Sequence, residues 1–172
     1  MHQDGTRNES PNNQMERESG PNRAVLDGNV LIAVIRPDAG HVPPEEAQAC
    51  IALVDAVDRG SVQAYLCAPI LAEIVHVLAR NGIPPRMRTE LMERWEAMHG
   101  RLEIIPLDGA LAAEAGEYRQ QHYHREHLPL SYIDCFCVAL ARRLGAPVVT
   151  LDEPLLRAPG VVAIPPSRFF VP

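Results

Sequence analysis

Apolar residues come along this chain in short continuous runs, separated by stretches where they recur every three or four positions. Ala24-Val25-Leu26, ending at Asp27, is such a run and predicts a strand covered on both faces. Asn29 to Ile35 continues as a short helix that Pro37 stops. Pro44 opens a helix running to Asp58, with Ala49, Leu53, Ala56 and Val57 at helical spacing, and Arg59-Gly60 ends it. Val62 to Ala68 predicts a second strand. Pro69 then starts a helix over Ile70 to Arg80, capped by Asn81-Gly82.

Pro84-Pro85 opens a further helix to about Met98, and Leu102 to Leu107 predicts a third strand. Asp108 is a suitable N-cap for a helix through Tyr118. After a histidine-rich connection, Ser131 to Leu144 predicts a strongly apolar helix closed by Gly145. Val148 to Thr150 is the fourth predicted strand and Val161 to Ile164 the fifth. Strands alternating with helices predict an α/β fold: a mainly parallel central sheet flanked by helices. Residues 1–22 are almost wholly polar and predict a disordered leader, with one folded domain over 23–172. Met1 and Met15 are both candidate starts.

Composition narrows the chemistry. All 16 basic residues are arginine. Without lysine there is no P-loop nucleotidase, no Schiff-base enzyme and no protein kinase. The net charge of −6 is wrong for a protein that holds nucleic acid by charge alone, so a phosphate-handling site would need a divalent metal at acidic residues. Cys50, Cys67, Cys135 and Cys137 form no C-x-x-C motif and are expected as buried thiols of a reducing, cytoplasmic setting. No apolar run reaches the roughly 18 residues that span a membrane, and the N-terminus carries no signal-peptide pattern.

Four acids stand where acids are not routine. Asp27 and Asp152 follow predicted strands, at the carboxyl edge where sites form in open α/β sheets. Asp134 is the only acid in the helix that starts at Ser131, and Glu73 lies at the border of an apolar helical face, beside Ile70 and Val77. Each has an ordinary explanation. Asp27 and Asp152 can cap the helices that follow them, Ser131 and Asp134 form the S-x-x-D pattern of a capping box, and Glu73 can pair with His76 or Arg80. Jointly they point to one cluster, which would repel itself unless a cation neutralised it; Mg²⁺ or Mn²⁺ suits all-oxygen ligands.

In this arrangement the chain resembles the PIN-domain nucleases. Val25-Leu26-Asp27-Gly28-Asn29-Val30-Leu31-Ile32 is similar to the family's opening signature, and Ala72-Glu73-Ile74-Val75 to the segment with its second acid. Leu130-Ser131-Tyr132-Ile133-Asp134-Cys135 resembles the third motif and Val148-Val149-Thr150-Leu151-Asp152 the fourth. The match covers about residues 24–164, and the length is similar to the toxins of VapBC-type pairs. The resemblance implies a Rossmann-like three-layer sandwich and metal-dependent hydrolysis of RNA phosphodiester bonds. Asp27 and Asp134 would be the metal ligands, with Glu73 and Asp152 acting directly or through water, while Asn29, Thr150 and Ser131 hold the carboxylates in place. Mg²⁺ is the implied cofactor, with Mn²⁺ able to substitute, and the implied partners are an RNA substrate, a cognate antitoxin and a second copy of the chain.

One residue departs from the pattern: Gly28 stands where the family usually has Thr or Ser. The missing hydroxyl weakens the acidic cluster, or the glycine serves a tighter turn. Two further readings therefore accompany the toxin. One is a housekeeping RNA-processing nuclease of the same fold; the other is a non-catalytic binding module. A phosphoryl-transfer receiver domain shares the acidic strand ends, and the absence of lysine argues against it.

Other features are expected to be structural. His122, His124 and His127 lack the H-x-x-x-H spacing of a helical zinc pair and are expected in a solvated loop. Arg86, Arg88, Arg94 and Arg101 are expected on a solvated helix face rather than an RNA-binding strip, and Trp95 and Met98 as packing residues. The tail from Pro165 to Pro172 carries two of the three phenylalanines and either meets a partner or folds back onto the core.

Overall fold

The computed structural model describes residues 22–37, 42–98 and 100–169. The leader predicted over 1–22 lies outside the described residues, except Asn22, which is already in the first strand. Five strands are present: β1 Asn22–Leu26, β2 Val62–Cys67, β3 Leu102–Ile105, β4 Val148–Val149 and β5 Ala163–Ile164. All pairings are parallel, in the spatial order β3-β2-β1-β4-β5. The helices are α1 Gly28–Ile35, α2 Pro44–Asp58, α3 Ala68–Arg80, α4 Pro85–Glu96, α5 Gly109–His122, α6 Tyr132–Leu144 and α7 Glu153–Leu156.

The chain steps from β1 to β2 to β3 in one direction, then crosses back to β4 on the other side of β1. Right-handed crossovers therefore put α1 to α4 on one face of the sheet and α5 to α7 on the other. This is the three-layer α/β sandwich expected. Both faces are covered, which is why Ala24, Val25 and Leu26 are all buried without any alternation.

Local signals end the elements. The Asp108 carboxylate accepts the Leu111 amide at 2.6 Å and starts α5. Gly145 closes α6 at φ 60°, a left-handed position that favours glycine. On α6, Cys135, Cys137, Val138, Leu140 and Ala141 are buried, and α6 packs on α5 and on β1, β2 and β4. Each fully buried Leu or Ile of this core contributes roughly 1.5–3 kcal/mol. All four cysteines are free and buried, as expected. Among the described residues, no helix is long and apolar enough to cross a membrane.

Several boundaries differ from the expectation. Helix α5 runs on to His122, whose ring lies 4.5 Å from that of Tyr118 at a tilt of 49° across the last turn. His122 therefore belongs to a helix, while His124 and His127 are exposed in the connection and stack on each other at 4.5 Å. The strands β3, β4 and β5 are shorter than their apolar runs; each ladder ends where its neighbour's does. After β5 the chain forms a 3-10 turn over Pro166–Arg168, and the Ser167 amide donates to Glu46 of α2 at 3.1 Å. Phe169 packs against the core, so this part of the tail folds back; residues 170–172 lie outside the described residues. Trp95 and Met98 are buried packing residues, and Arg86 and Arg101 pair with Glu90 and Asp58 at the surface.

Candidate active site

Strands β1 and β4 lie side by side with Leu26 opposite Val149, and the chain leaves them in opposite directions across the sheet. That reversal opens a crevice beyond their carboxyl ends. Asp27 and Thr150 are the next residues on the two strands. Backbone bonds hold both in line: Asp27 N donates to Val149 O at 3.0 Å, and Thr150 N to Ile164 O at 3.1 Å.

A small polar network fills the crevice floor. Thr150 Oγ1, fully buried, donates to Asp27 Oδ2 at 2.6 Å. The same oxygen accepts the Asp152 amide at 2.9 Å and Asn29 Nδ2 at 3.4 Å. Asn29 Oδ1 accepts the Leu151 amide at 3.1 Å, so one side chain ties the start of α1 to the end of β4. One donor and two acceptor positions are all that a hydroxyl has, and Thr150 uses them all. Asn29 and Thr150 thus join the start of α1 to the end of β4 around the Asp27 carboxylate.

The ordinary explanations of the four acids can now be separated. For Asp134 the explanation holds: Ser131 N donates to Asp134 Oδ2 at 2.5 Å, and Asp134 N to Ser131 Oγ at 3.1 Å, a complete capping box. It holds for Asp152, whose Oδ2 accepts the Leu155 amide at 3.2 Å at the start of α7. It fails for Asp27. This residue occupies the N-cap of α1, yet its side chain makes no cap bond. Its carboxylate turns instead to Thr150 and is only 5% exposed.

Electrostatics tie the four together. Burial pushes the Asp27 carboxyl up to about 7; the Thr150 bond opposes this, and the Asp134 and Glu73 charges add to it. Glu73, at the exposed side of α3, is also raised, first by desolvation of its carboxyl, then by Asp134 and Asp152, with His76 opposing. Asp152 is raised by desolvation, against the Leu155 amide, and then by Asp134. Asp134 therefore acts on all three other acids. The Cys137 thiol, one turn along α6, is held well above its usual range by burial and then by Asp27 and Asp134, with Glu73 also contributing. Three carboxylates therefore act on the same thiol.

No ion pair engages Asp27, Glu73, Asp134 or Asp152 among the described residues. The cluster thus carries an uncompensated negative charge on oxygen donors, which fits a hard divalent cation in kind. It is not closed around one: no three Asp, Glu, His or Cys residues among those described are gathered tightly enough to hold a metal ion. The histidines form no metal site either. His124 Nδ1 instead accepts the Glu126 and His127 amides, each at 3.3 Å, in a turn closed by the His124–Leu128 bridge.

Gly28 has a packing role. It is the first residue of α1, and its φ is not positive, so no special turn requires it. A Cβ there would lie 3.1 Å from Ile70 Cγ2 and 3.2 Å from Ile74 Cγ1, with Glu73 Oε2 at 3.7 Å. The glycine lets α1 approach α3, the helix that carries Glu73. The apolar pattern passed over two participants. The Leu151 amide has no side chain to signal it. Arg119 lies between the rings of Tyr123 and Tyr132, where the four-residue step from Arg119 to Tyr123 was the available clue.

The family profile described as the PIN domain matches residues 24–161. No curated protein sequence matches the chain. Solved structures share its fold. VapC20 from Mycobacterium tuberculosis, described as a toxin cleaving the sarcin-ricin loop, is 17% identical at a TM-score of 0.61, over 83% of this chain and 98% of that one. VapBC2 from Rickettsia felis, bound to a promoter DNA fragment, is 16% identical at 0.58, over 83% and 98%. FitAcB from Neisseria gonorrhoeae is 22% identical at 0.56, over 83% and 97%.

Proposed function

The chain belongs to the PIN-domain family, and from that premise we propose that it is a divalent-metal-dependent ribonuclease, the toxin of a toxin–antitoxin pair. The observation that carries the reading is Asp27: a buried carboxylate that does not cap its helix, has no cationic partner among the described residues, and lies in the field of two further acids.

Asp27 and Asp134 would hold Mg²⁺ or Mn²⁺, with Glu73 and Asp152 acting directly or through water. The bound ion would supply charge neutralisation, polarise a phosphoryl oxygen and lower the pKa of the attacking water. The chain's own part is positioning. Thr150, Ser131 N and the Leu155 amide each fix Oδ2 of one aspartate, which leaves Oδ1 as the oxygen for an outside ligand. Asn29 keeps the Thr150 loop against α1. Without its cation the cluster repels phosphate; with it, the same carboxylates can face an RNA backbone.

The antitoxin and a homodimer are part of this proposal. The antitoxin is supported by the VapBC and FitAB assemblies among the structures of the same fold. The four buried thiols suit a cytoplasmic setting. The open spacing of the acids favours the second reading, a non-catalytic module. Calorimetric titration with Mn²⁺, on the wild type and on Asp134→Asn, separates the two. Saturable binding lost in the variant, with unchanged thermal unfolding, is the expected result. No binding at millimolar Mn²⁺, with or without a random single-stranded RNA pool, would overturn the nuclease reading. Growth arrest on induction, abolished by Asp27→Asn, tests the toxin.

A further inference from the structure

We propose that Tyr132, Arg119 and Tyr123 form a stacking platform for an unpaired nucleobase of the RNA that flanks the bond to be cut. The inference rests on the ribonuclease reading and adds where the substrate is gripped.

The Arg119 guanidinium lies over the Tyr123 ring at 4.0 Å and over the Tyr132 ring at 4.6 Å. Each ring therefore gives one face to the arginine. Both tyrosines remain exposed, Tyr132 at 61% and Tyr123 at 42%, among the few large apolar side chains left to solvent. Packing does not account for an exposed tyrosine at Tyr132: it is the first residue of α6 and contributes nothing to the core. Arg119 Nη1 also donates to Leu130 O, so the sandwich is fastened to the segment that leads into Ser131 and Asp134. Arg119 and Arg125 are the cations of this segment, beside Glu126 and ahead of Asp134.

These features match what a splayed base needs. Aromatic faces and guanidinium planes stack any base, and cations near them take the adjoining phosphates. Rings already braced by the arginine lose little freedom on binding. A paired base is not accessible to such a surface, so the platform selects single strands. Tyr132 lies two residues before Asp134 in the first turn of α6 and projects to a different side of the helix, so the gripped base would flank the acidic cluster rather than enter it.

The test uses the full chain and a labelled, random-sequence, single-stranded RNA pool, followed by fluorescence anisotropy with Ca²⁺ present. The same pool annealed to its complement is the control. The wild type should prefer the single strand. Tyr132→Ala should weaken binding about tenfold, within the range that stacking of one base supports, and Tyr123→Ala should weaken it less. Tyr132→Phe should bind as the wild type. Tyr132→Trp should bind at least as well, with its emission quenched as RNA is added; the native Trp95 is buried and serves as background. Both tyrosines are exposed, so thermal unfolding should not change.

Wild-type affinity in both alanine variants would overturn the platform, and so would a wild type that binds no RNA. Retained RNA affinity with lost binding of a co-expressed protein would assign the surface to a protein partner instead, and the platform would fall. Cleavage of the same pool with Mn²⁺ tests the underlying reading separately. Tyr132-dependent binding without cleavage would sink the nuclease and leave the platform. Cleavage with unaltered binding by Tyr132→Ala would do the reverse.

Discussion

Asp27 and Asp134 are the same side chain at the entrances of two helices, α1 and α6, yet their surroundings assign them opposite relations to folding. Asp134 is half-buried and closes a capping box with Ser131, so it stabilises the helix that carries it. Asp27 is buried, caps nothing, and is held by a threonine from a strand on the far side of the chain's sequence. The first acid would be worth keeping in a protein with no activity. The second costs stability whenever it is ionised and uncompensated. An acid that works against its own fold is the better marker of function.

The contrast can be broken most severely through activity. On the proposed function, Asp27→Asn and Asp134→Asn should each lower metal-dependent cleavage of RNA by on the order of a thousandfold or more, because each removes charge from the proposed metal site. Cleavage at saturating Mn²⁺ measures this; an Asp27→Asn enzyme with wild-type turnover would dissolve the distinction between the two acids.

Stability should separate them next. The Asp27 carboxyl is raised from 3.8 to about 7, so the folded chain keeps its proton over a range where the unfolded chain has lost it. Stability contributed by this group is therefore full below pH 3.8, falls as pH rises towards 7, and stays low above it. At about 1.4 kcal/mol per pKa unit the loss is at most about 4–5 kcal/mol. Asp27→Asn should thus stabilise the metal-free protein by up to that amount at pH 8 and hardly at all near pH 4. Asp134→Asn should be close to neutral at both. Urea unfolding in the presence of chelator checks this. Mn²⁺ should reverse the order at pH 8 by stabilising only the wild type.

Thr150→Val sharpens the comparison from the other partner. It removes the bond to Asp27 and the acceptor of the Asp152 amide, at a cost of roughly 1–3 kcal/mol and a 10–100-fold loss of activity. Thr150→Ser should recover most of both. Gly28→Ser should cost about 1–3 kcal/mol through crowding against Ile70 and Ile74, read by urea unfolding. A gain in stability would mean that α3 gives way easily. The smallest effect should come from Asp134→Ala with chelator present, about 1 kcal/mol for the lost cap, read by urea unfolding.

Much of the site was legible along the chain because its signals are local. Asp152 before Glu153-Pro154 and Ser131 before Asp134 are capping patterns, and both caps are present. The apolar runs marked the strands, whose carboxyl ends then located Asp27 and Asp152. The ends of β3, β4 and β5 were less legible, since a ladder stops where its neighbour stops, whatever the next apolar residue offers. The role of Gly28 was not legible either. A glycine after a strand suggests a turn, and only the approach of α3 reveals that space, not backbone freedom, is what it supplies.

The sequence by itself determined the alternation of strands and helices, the helix caps and the order of the four acids, because each depends on residues within a turn or two of one another. The tertiary structure alone decided that β4 lies beside β1, that a hydroxyl at Thr150 meets a carboxylate 123 positions away, and that Asp134 bears on three other acids. Those contacts exist only once the crossover between β3 and β4 has closed and packing has set the distances. A burial-raised pKa likewise belongs to the folded chain, since desolvation has no meaning for a residue still in water.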